Sequence, residues 1–355
     1  MEQNTRFGYR SLFWPVVLIG LGVIWLLGNL GILPQQNVRI LFRLWPLILV
    51  VVGLDIIFGR RSPAIGGLIG LGTVALAIAL LFLAPSLGIA ADGELKTLNF
   101  SEALGNATSG RIDIDLDRYS TTVKAVSDSS ALIEAELDTT TDVAFSASGD
   151  REKTVILKPV GDPSFDFDWL FSPASDARWE IGLSPDVPLD LRVNVGSGAA
   201  TLDLADLELT HLGIGGGSGS TNLTLPAGSS QYTVDLNGGS GSFIIELDAG
   251  ADVRAVIGIG SGSFDITIGS GANVQAQIGG GSGSIIIDAP DDVGVRVVVS
   301  DRGSGSVLVP ASYRLGDDRG DDDSDTGIWE SEGFGSASHR VEITFDPGSG
   351  SFTLR

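Results

Sequence analysis

The tetrapeptide Gly-Ser-Gly-Ser recurs at 217–220, 239–242, 260–263, 281–284, 303–306 and 348–351, after a Gly-Ser-Gly-Ala variant at 196–199. Successive copies start 21, 22, 21, 21, 22 and 45 residues apart. A period of roughly 20–50 residues marks a solenoid or array, in which each unit buries its apolar face only against its neighbours. The final interval is about two periods long, so one unit there reads as replaced or expanded.

Each period holds two short alternating runs. In FIIEL, Phe243, Ile245 and Leu247 share one face; in VRAVIGI, Val253, Ala255, Ile257 and Ile259 do. The next unit repeats the pattern as FDITI and VQAQI. Alternation with a period of two predicts half-buried strands. Glycine allows the tight turns between them, and serine can bond nearby backbone groups. The expected fold is therefore a β-solenoid-like stack of short strands over 196–355, with an apolar interior between two sheets and acids outside. The Gly-rich turns are read as structural. A phosphate-binding loop needs Lys followed by Ser or Thr and then a helix, and these turns lead into strands.

Residues 92–195 read as an irregular β region, with strands such as RIDIDLD at 111–117 and ALIEAEL at 131–137. An aromatic patch follows (Phe165, Phe167, Trp169, Phe171, Trp179), read first as a cap on the solenoid end and otherwise as a binding surface. The repeat is interrupted at 314–340 by an acidic segment. There Asp321, Asp323, Asp325 and Glu332 take positions 1, 3, 5 and 12 of a calcium-loop pattern. Thr326 stands where that loop needs glycine, and no helical pattern flanks it. A solvated loop is the first reading and a weak calcium site the second. His211 and His339 have no visible catalytic partner, and no cofactor or enzymatic activity is expected.

Residues 1–91 have a different chemistry. Six arginines (Arg6, Arg10, Arg39, Arg43, Arg60, Arg61) face only Glu2 and Asp55, so the remainder carries 26 of net negative charge within a total of −22. Three apolar stretches, about 12–33, 41–58 and 64–87, predict a transmembrane region of three helices, because a hydrocarbon core of about 30 Å needs about 20 helical residues. The second stretch is short enough to be re-entrant instead. Trp14-Pro15 and Trp45-Pro46 open similar segments, WPVVLIGLG and WPLILVVVG, which suits anchoring at the headgroups and helix packing through Gly20, Gly22 and Gly53. Asp55 is read as an interfacial ion pair with Arg60-Arg61. The flanking arginines favour an inside amino terminus, which puts residues 92–355 outside the cell membrane.

The chain has no cysteine, which excludes disulfides, thiol chemistry and Cys-based metal sites. Its acidity excludes nucleic acid as a partner.

The tandem WPVVLIGLGVIWLLGNLGIL and LWPLILVVVGLDIIFGRR resembles the LiaI/LiaF-type transmembrane region. VPLDLRVNVGSGAATLDLADLELTHLGIGGGSGSTNLTLP, at 187–226, is similar to the toastrack β-domain of LiaF-like proteins. The resemblance implies a bacterial cell-envelope protein, an accessory sensor or regulator of envelope stress signalling. Its partners would be membrane lipid, a membrane histidine kinase or another envelope protein, and cationic peptides or divalent ions drawn by the acidic domain. The alternative is a structural or adhesive surface β-solenoid with no signalling role.

Overall fold

The computed structural model describes residues 12–30, 45–59, 63–83, 95–116, 118–127, 130–139, 141–160, 177–299, 303–315, 326–346 and 348–355. These residues fall into two compact units, the helices before residue 95 and the strands from Leu95 onward.

The helical unit comprises α1 (Phe13–Asn29), α2 (Trp45–Leu54) and α3 (Pro63–Leu83), and α2 runs on into a π-helical turn at Asp55–Gly59. Pro15 and Pro46 fall in the first turns of their helices, where a missing N–H costs nothing. With a rise of about 1.5 Å per residue, α3 is about 31 Å long and α1 about 25 Å. Among the described residues, Ala64–Leu81 alone is long and apolar enough to cross a membrane by itself. The three expected spans thus become one full-length helix and two shorter ones. α1 stops at Asn29, where Gly28, Asn29 and Gly31 withdraw helical propensity, and the wider π turn replaces the last turn of α2.

Glycine sets how α1 meets α3. A Cβ on Gly20 would overlap Val74, and one on Gly70 would press on the Phe13 carbonyl oxygen and Val16. Close approach of this kind holds helices together in lipid, where burial of apolar area gives little drive. A Cβ on Gly22 or Gly53 would meet nothing within 4 Å among the described residues, so neither sets a close approach there, which corrects that part of the expectation. Asp55 is 2 % exposed; its expected partners, Arg60 and Arg61, lie outside the described residues.

In the strand unit, two sheets of 11 and 12 strands lie face to face. Most of the stack is made of rungs: a strand of the 12-stranded sheet, a corner, then a strand of the 11-stranded sheet. In the repeat these are β8 and β9 (Leu189–Asn194, Ala200–Asp203), β10 and β11 (Leu209–Gly215, Ser220–Leu225), and β12 and β13 (Tyr232–Asn237, Ser242–Leu247). Then come β14 and β15 (Asp252–Gly258, Ser263–Thr267), and β16 and β17 (Asn273–Gly279, Ser284–Asp288). Neighbouring rungs pair in parallel and in register, Phe243 beside Phe264 and Ile257 beside Ile278. The predicted inward residues of both runs are all buried, and the Phe243 and Phe264 rings stack at 4.7 Å. Parallel pairing stacks like on like, so a period of one rung yields continuous interior columns.

The glycine corners follow from that stacking. A Cβ at Gly219, Gly241, Gly262, Gly283 or Gly350 would strike the carbonyl oxygen of the corresponding glycine one rung away. Gly239 and Gly260 meet a second demand, with φ of 53° and 64°.

The rungs do not follow sequence order at either end. The pair β2 and β3 (Ser109–Asp115, Ser120–Ala125) lies between β8/β9 and the pair β6 and β7 (Glu152–Val160, Arg178–Leu183). At the other end, β22 and β23 (Arg340–Asp346, Ser351–Leu354) lie between β16/β17 and the earlier pair β18 and β19 (Gly294–Val299, Ser306–Leu308). Antiparallel strands cover both sheets at one end, β1 (Lys96–Ala103), β4 (Ala131–Thr139) and β5 (Asp142–Ser148), but at the other only the 12-stranded sheet, through β20 (Arg314–Leu315) and β21 (Gly327–Glu330); among the described residues the 11-stranded sheet ends there on the parallel strand β19.

One expectation is corrected. The sheets run unbroken through residue 196, so β2, β3 and β8 are rungs and not a separate irregular region: Ile112, Ile114, Val123, Leu191 and Val193 fill the same core. In the long interval the expected unit is replaced, by the antiparallel strands β20 and β21, and the last rung, β22 and β23, sits one place earlier in space than in sequence.

Candidate functional site

None of the acids proposed for calcium forms a described site. Asp321, Asp323 and Asp325 lie outside the described residues, and Glu332 is exposed in a turn before Phe334. Among the described residues no cluster of three or more His, Asp or Glu is placed to hold a metal ion. Of the aromatic patch, Phe165, Phe167, Trp169 and Phe171 are likewise outside the described residues. Trp179 is fully buried and stacks on Tyr119 at 5.2 Å, so it belongs to the core and not to a cap or a binding surface. The pattern could have shown this, because Trp179, Ile181 and Leu183 alternate as an inward face.

What the unit presents is surface. Along one edge, the Ser-Gly-Ser corners align into an open groove of about 850 Å³ that runs from Ser218 to Ser306. Serines of successive rungs stand about 4.8 Å apart, the spacing of paired strands. The groove is a neutral array of hydroxyls, able to donate and to accept hydrogen bonds along an extended partner.

The second surface is the outer face of the 12-stranded sheet. Gly213, Gly215 and Gly258 point outward there and floor a depression of about 550 Å³ walled by Arg192, Asn194, Asp235 and Asn237. Asp190 accepts a 2.8 Å hydrogen bond from Arg111 Nε on the neighbouring strand, and Arg192 Nε lies 3.4 Å from its other oxygen. His211 Nδ1 shares a 2.9 Å hydrogen bond with Thr233 Oγ1, and its Nε2 lies 3.9 Å from Asp235 Oδ2. Hydroxyl, imidazole and carboxylate thus lie in a row. A separation of 3.9 Å is beyond hydrogen-bond length, so the imidazole bonds the hydroxyl and stands beside the carboxylate on an open face without a bond to it. Sequence reading left His211 without a partner because Thr233 and Asp235 stand one full repeat away.

Two buried polar groups of the strand unit tie elements of the fold together. Lys153 Nζ reaches Glu102 Oε1 at 2.5 Å and the Ala103 carbonyl at 2.6 Å, tying β6 to β1. The Tyr232 hydroxyl donates to the Pro226 carbonyl at 2.7 Å, and burial, with Asp248 nearby, pushes its pKa well above the usual phenol range.

Two family models match in succession: the LiaF transmembrane domain over residues 13–101, and the N-terminal domain of toast_rack, DUF2154, over 92–246. The chain is LiaF-like, a LiaF-type transmembrane region followed by a toastrack-type β-domain, and so a membrane-anchored envelope protein of the LiaF type. The second match ends inside β13, and the same rung pattern continues for several units beyond it. No curated protein matches the chain. Among solved structures, it is similar to a candidate cell-adhesion protein from Clostridium sporogenes, with 10 % identity, TM-score 0.37, and 74 % of this chain and 99 % of that one covered. A candidate adhesin from Bacteroides fragilis gives 12 %, 0.32, 74 % and 99 %. Likeness at this level carries no functional argument.

Proposed function

We propose that this chain is a non-catalytic accessory regulator of envelope stress signalling. The observation that supports the reading is the joining of a LiaF-type membrane region to a rigid, strongly acidic β-stack. In this reading all three helices sit in the membrane in a multi-pass arrangement, and the helical unit contacts a membrane partner of the histidine-kinase type. The β-stack stands outside the cell. Its 26 net negative charges draw cationic peptides or divalent ions by long-range attraction, which is screened over a Debye length of about 10 Å at 0.1 M salt.

The test compares cells making the intact chain with cells making residues 1–91 alone, each carrying an envelope-stress reporter and challenged with a cationic antimicrobial peptide. The expected result is a reporter response that depends on the β-stack. An unchanged response, with reduced attachment of cells to surfaces, would replace this reading with the structural or adhesive one. Protease added to intact cells should cut within 92–355; full protection would reverse the topology.

A further inference from the structure

We propose that the glycine-floored hollow on the outer face of the 12-stranded sheet binds a small zwitterion between Asp235 and Arg192. The ligand class is a molecule with both a free ammonium and a free carboxylate group, such as a short peptide.

The floor is made by glycines that the fold does not require. Gly213 and Gly215 lie in β10, and neither adopts a left-handed φ. A Cβ on Gly213 would meet only His211 Nε2 at 3.3 Å and Arg192 Cγ at 3.7 Å, both in flexible side chains. One on Gly215 would meet the Asn194 amide first. The corner glycines differ, because there a Cβ would strike backbone. Within a strand, glycine gives up packing and order, and it marks a place where a ligand or another backbone comes close.

Register sets the walls. Parallel pairing places Arg192 and Asp235 on either side of Gly213, and Asn194 and Asn237 on either side of Gly215. Two strand spacings, about 9.6 Å, separate the backbones of the two walls. Among the described residues, none of these four side chains makes a hydrogen bond to the chain. Asp190 takes its 2.8 Å bond from Arg111, and Arg192 Nε only approaches it at 3.4 Å. Asp113 stands in register with Arg192 on the far side, without an ion pair to it. Asp235 has only the 3.9 Å approach of His211 Nε2. Arg192 and Asp235 thus stand across the hollow from each other, unpaired among the described residues.

These groups define the ligand by chemistry. A guanidinium donates to a carboxylate through a planar fork. The Asp235 carboxylate accepts from an ammonium, and the two amides both donate and accept, which suits a peptide group lying between them. An extended dipeptide is about 7 Å long, within the span between the walls. A purely cationic ligand would meet Arg192, and a purely anionic one would meet Asp235 and the acidic surroundings. Opposite charges on one small molecule satisfy both walls. This site is separate from the long-range attraction of cations proposed above, and its failure leaves the signalling reading standing.

Calorimetric titration of the full chain in detergent with alanyl-alanine tests this. The same dipeptide is used with its amine acetylated and with its carboxylate amidated. The expected result is saturable binding of the free dipeptide, with either capped form weaker by about tenfold or more. Gly213→Val fills the floor and should abolish binding while the urea midpoint is kept. Asp235→Asn should remove the preference for the free over the acetylated dipeptide, and Arg192→Gln that for the free over the amidated one. Glu246→Gln, exposed on the opposite sheet, should change nothing. Absence of saturable binding overturns the inference. So does binding that survives Gly213→Val, that Glu246→Gln weakens as much as Asp235→Asn does, or that is no tighter for the free dipeptide than for both capped forms.

Discussion

Replacing Gly262 by alanine separates a structural corner from a ligand-binding one. Gly262 is buried between exposed Ser261 and Ser263, and a Cβ there would run into the Gly241 carbonyl. The obstacle is backbone, so relief requires the two rungs to part at that corner. Three hydrogen bonds hold it: Ser261 N to the Gly239 carbonyl at 2.8 Å, Ser263 N to Gly241 at 3.1 Å and Ser284 N to Gly262 at 3.1 Å. With a net value of about 1 kcal/mol each, losing them costs about 3 kcal/mol. The stiffer unfolded chain returns about 0.5–1 kcal/mol, which leaves a net loss of about 2 kcal/mol. Gly250 is the control. Its φ is 77°, but a Cβ there meets nothing within 4 Å, so only conformational strain of about 1–2 kcal/mol applies to Gly250→Ala. Urea unfolding of the full chain in detergent, followed by the β signal in circular dichroism, reads both. With a slope of about 3 kcal/mol per molar, Gly262→Ala should lower the midpoint by about 0.7 M and Gly250→Ala by less. Ser261→Ala, at an exposed site, should change it little. If Gly262→Ala unfolds at or above the midpoint of Gly250→Ala, the rungs are not packed as closely as the corner geometry requires.

In the helical unit, Gly20→Leu should abolish protection of the α1–α3 contact, measured by cross-linking of introduced cysteines, while Gly22→Leu leaves it unchanged. For Tyr232, the folded state holds the phenol proton more tightly than the unfolded one. Its contribution is therefore complete below about pH 10 and falls as pH rises above that value. Tyr232→Phe should flatten that decline and cost about 1 kcal/mol at pH 7 through the lost bond to Pro226; an unchanged alkaline slope would assign it to Tyr313, whose pKa is also raised by burial. Duplicating residues 252–272, one full register repeat from Asp252 to the residue before Asn273, should give a folded chain with one more rung and an undiminished midpoint. Collapse of cooperativity would mean that mid-stack rungs are not interchangeable.

The stack was readable wherever two periods coincide. Alternation assigned Phe243, Ile245 and Leu247 to the interior, and the 21–22-residue period placed them under Phe264 and Ile266. Reading failed where the corner lost its glycine-serine signature. The segment 116–119, which joins β2 to β3, contains none of it, so a full rung passed for irregular sequence. Spacing also says nothing about which rung is whose neighbour. The 45-residue interval measured a detour in the chain, and only pairing of β22 with both β16 and β18 shows where the unit went. The outer-face row of Thr233, His211 and Asp235 was illegible for a related reason: His211 and Thr233 stand in register only through parallel pairing.

The displaced rungs and the non-repeating segments answer one physical problem. A parallel stack has two open ends, each with a strand edge in either sheet, and such edges recruit other chains. A unit of strand, corner and strand cannot close an end, because adding it only creates the same edge again. Where the sequence departs from its repeat, strands of opposite direction and different side chains cover three of these four edges, and the 11-stranded sheet ends on β19 at the fourth. At one end β4 runs antiparallel to β7 and β5 to β6, with Phe100 and Phe145 stacked at 5.1 Å across the gap. At the other, β21 runs antiparallel to β18, and Phe334 packs beneath the guanidinium groups of Arg296 and Arg340. To supply those strands the chain must leave the stack and come back. At the later end it returns to a place already bounded on both sides, so the irregular stretch before β22 and its out-of-order position have a common cause.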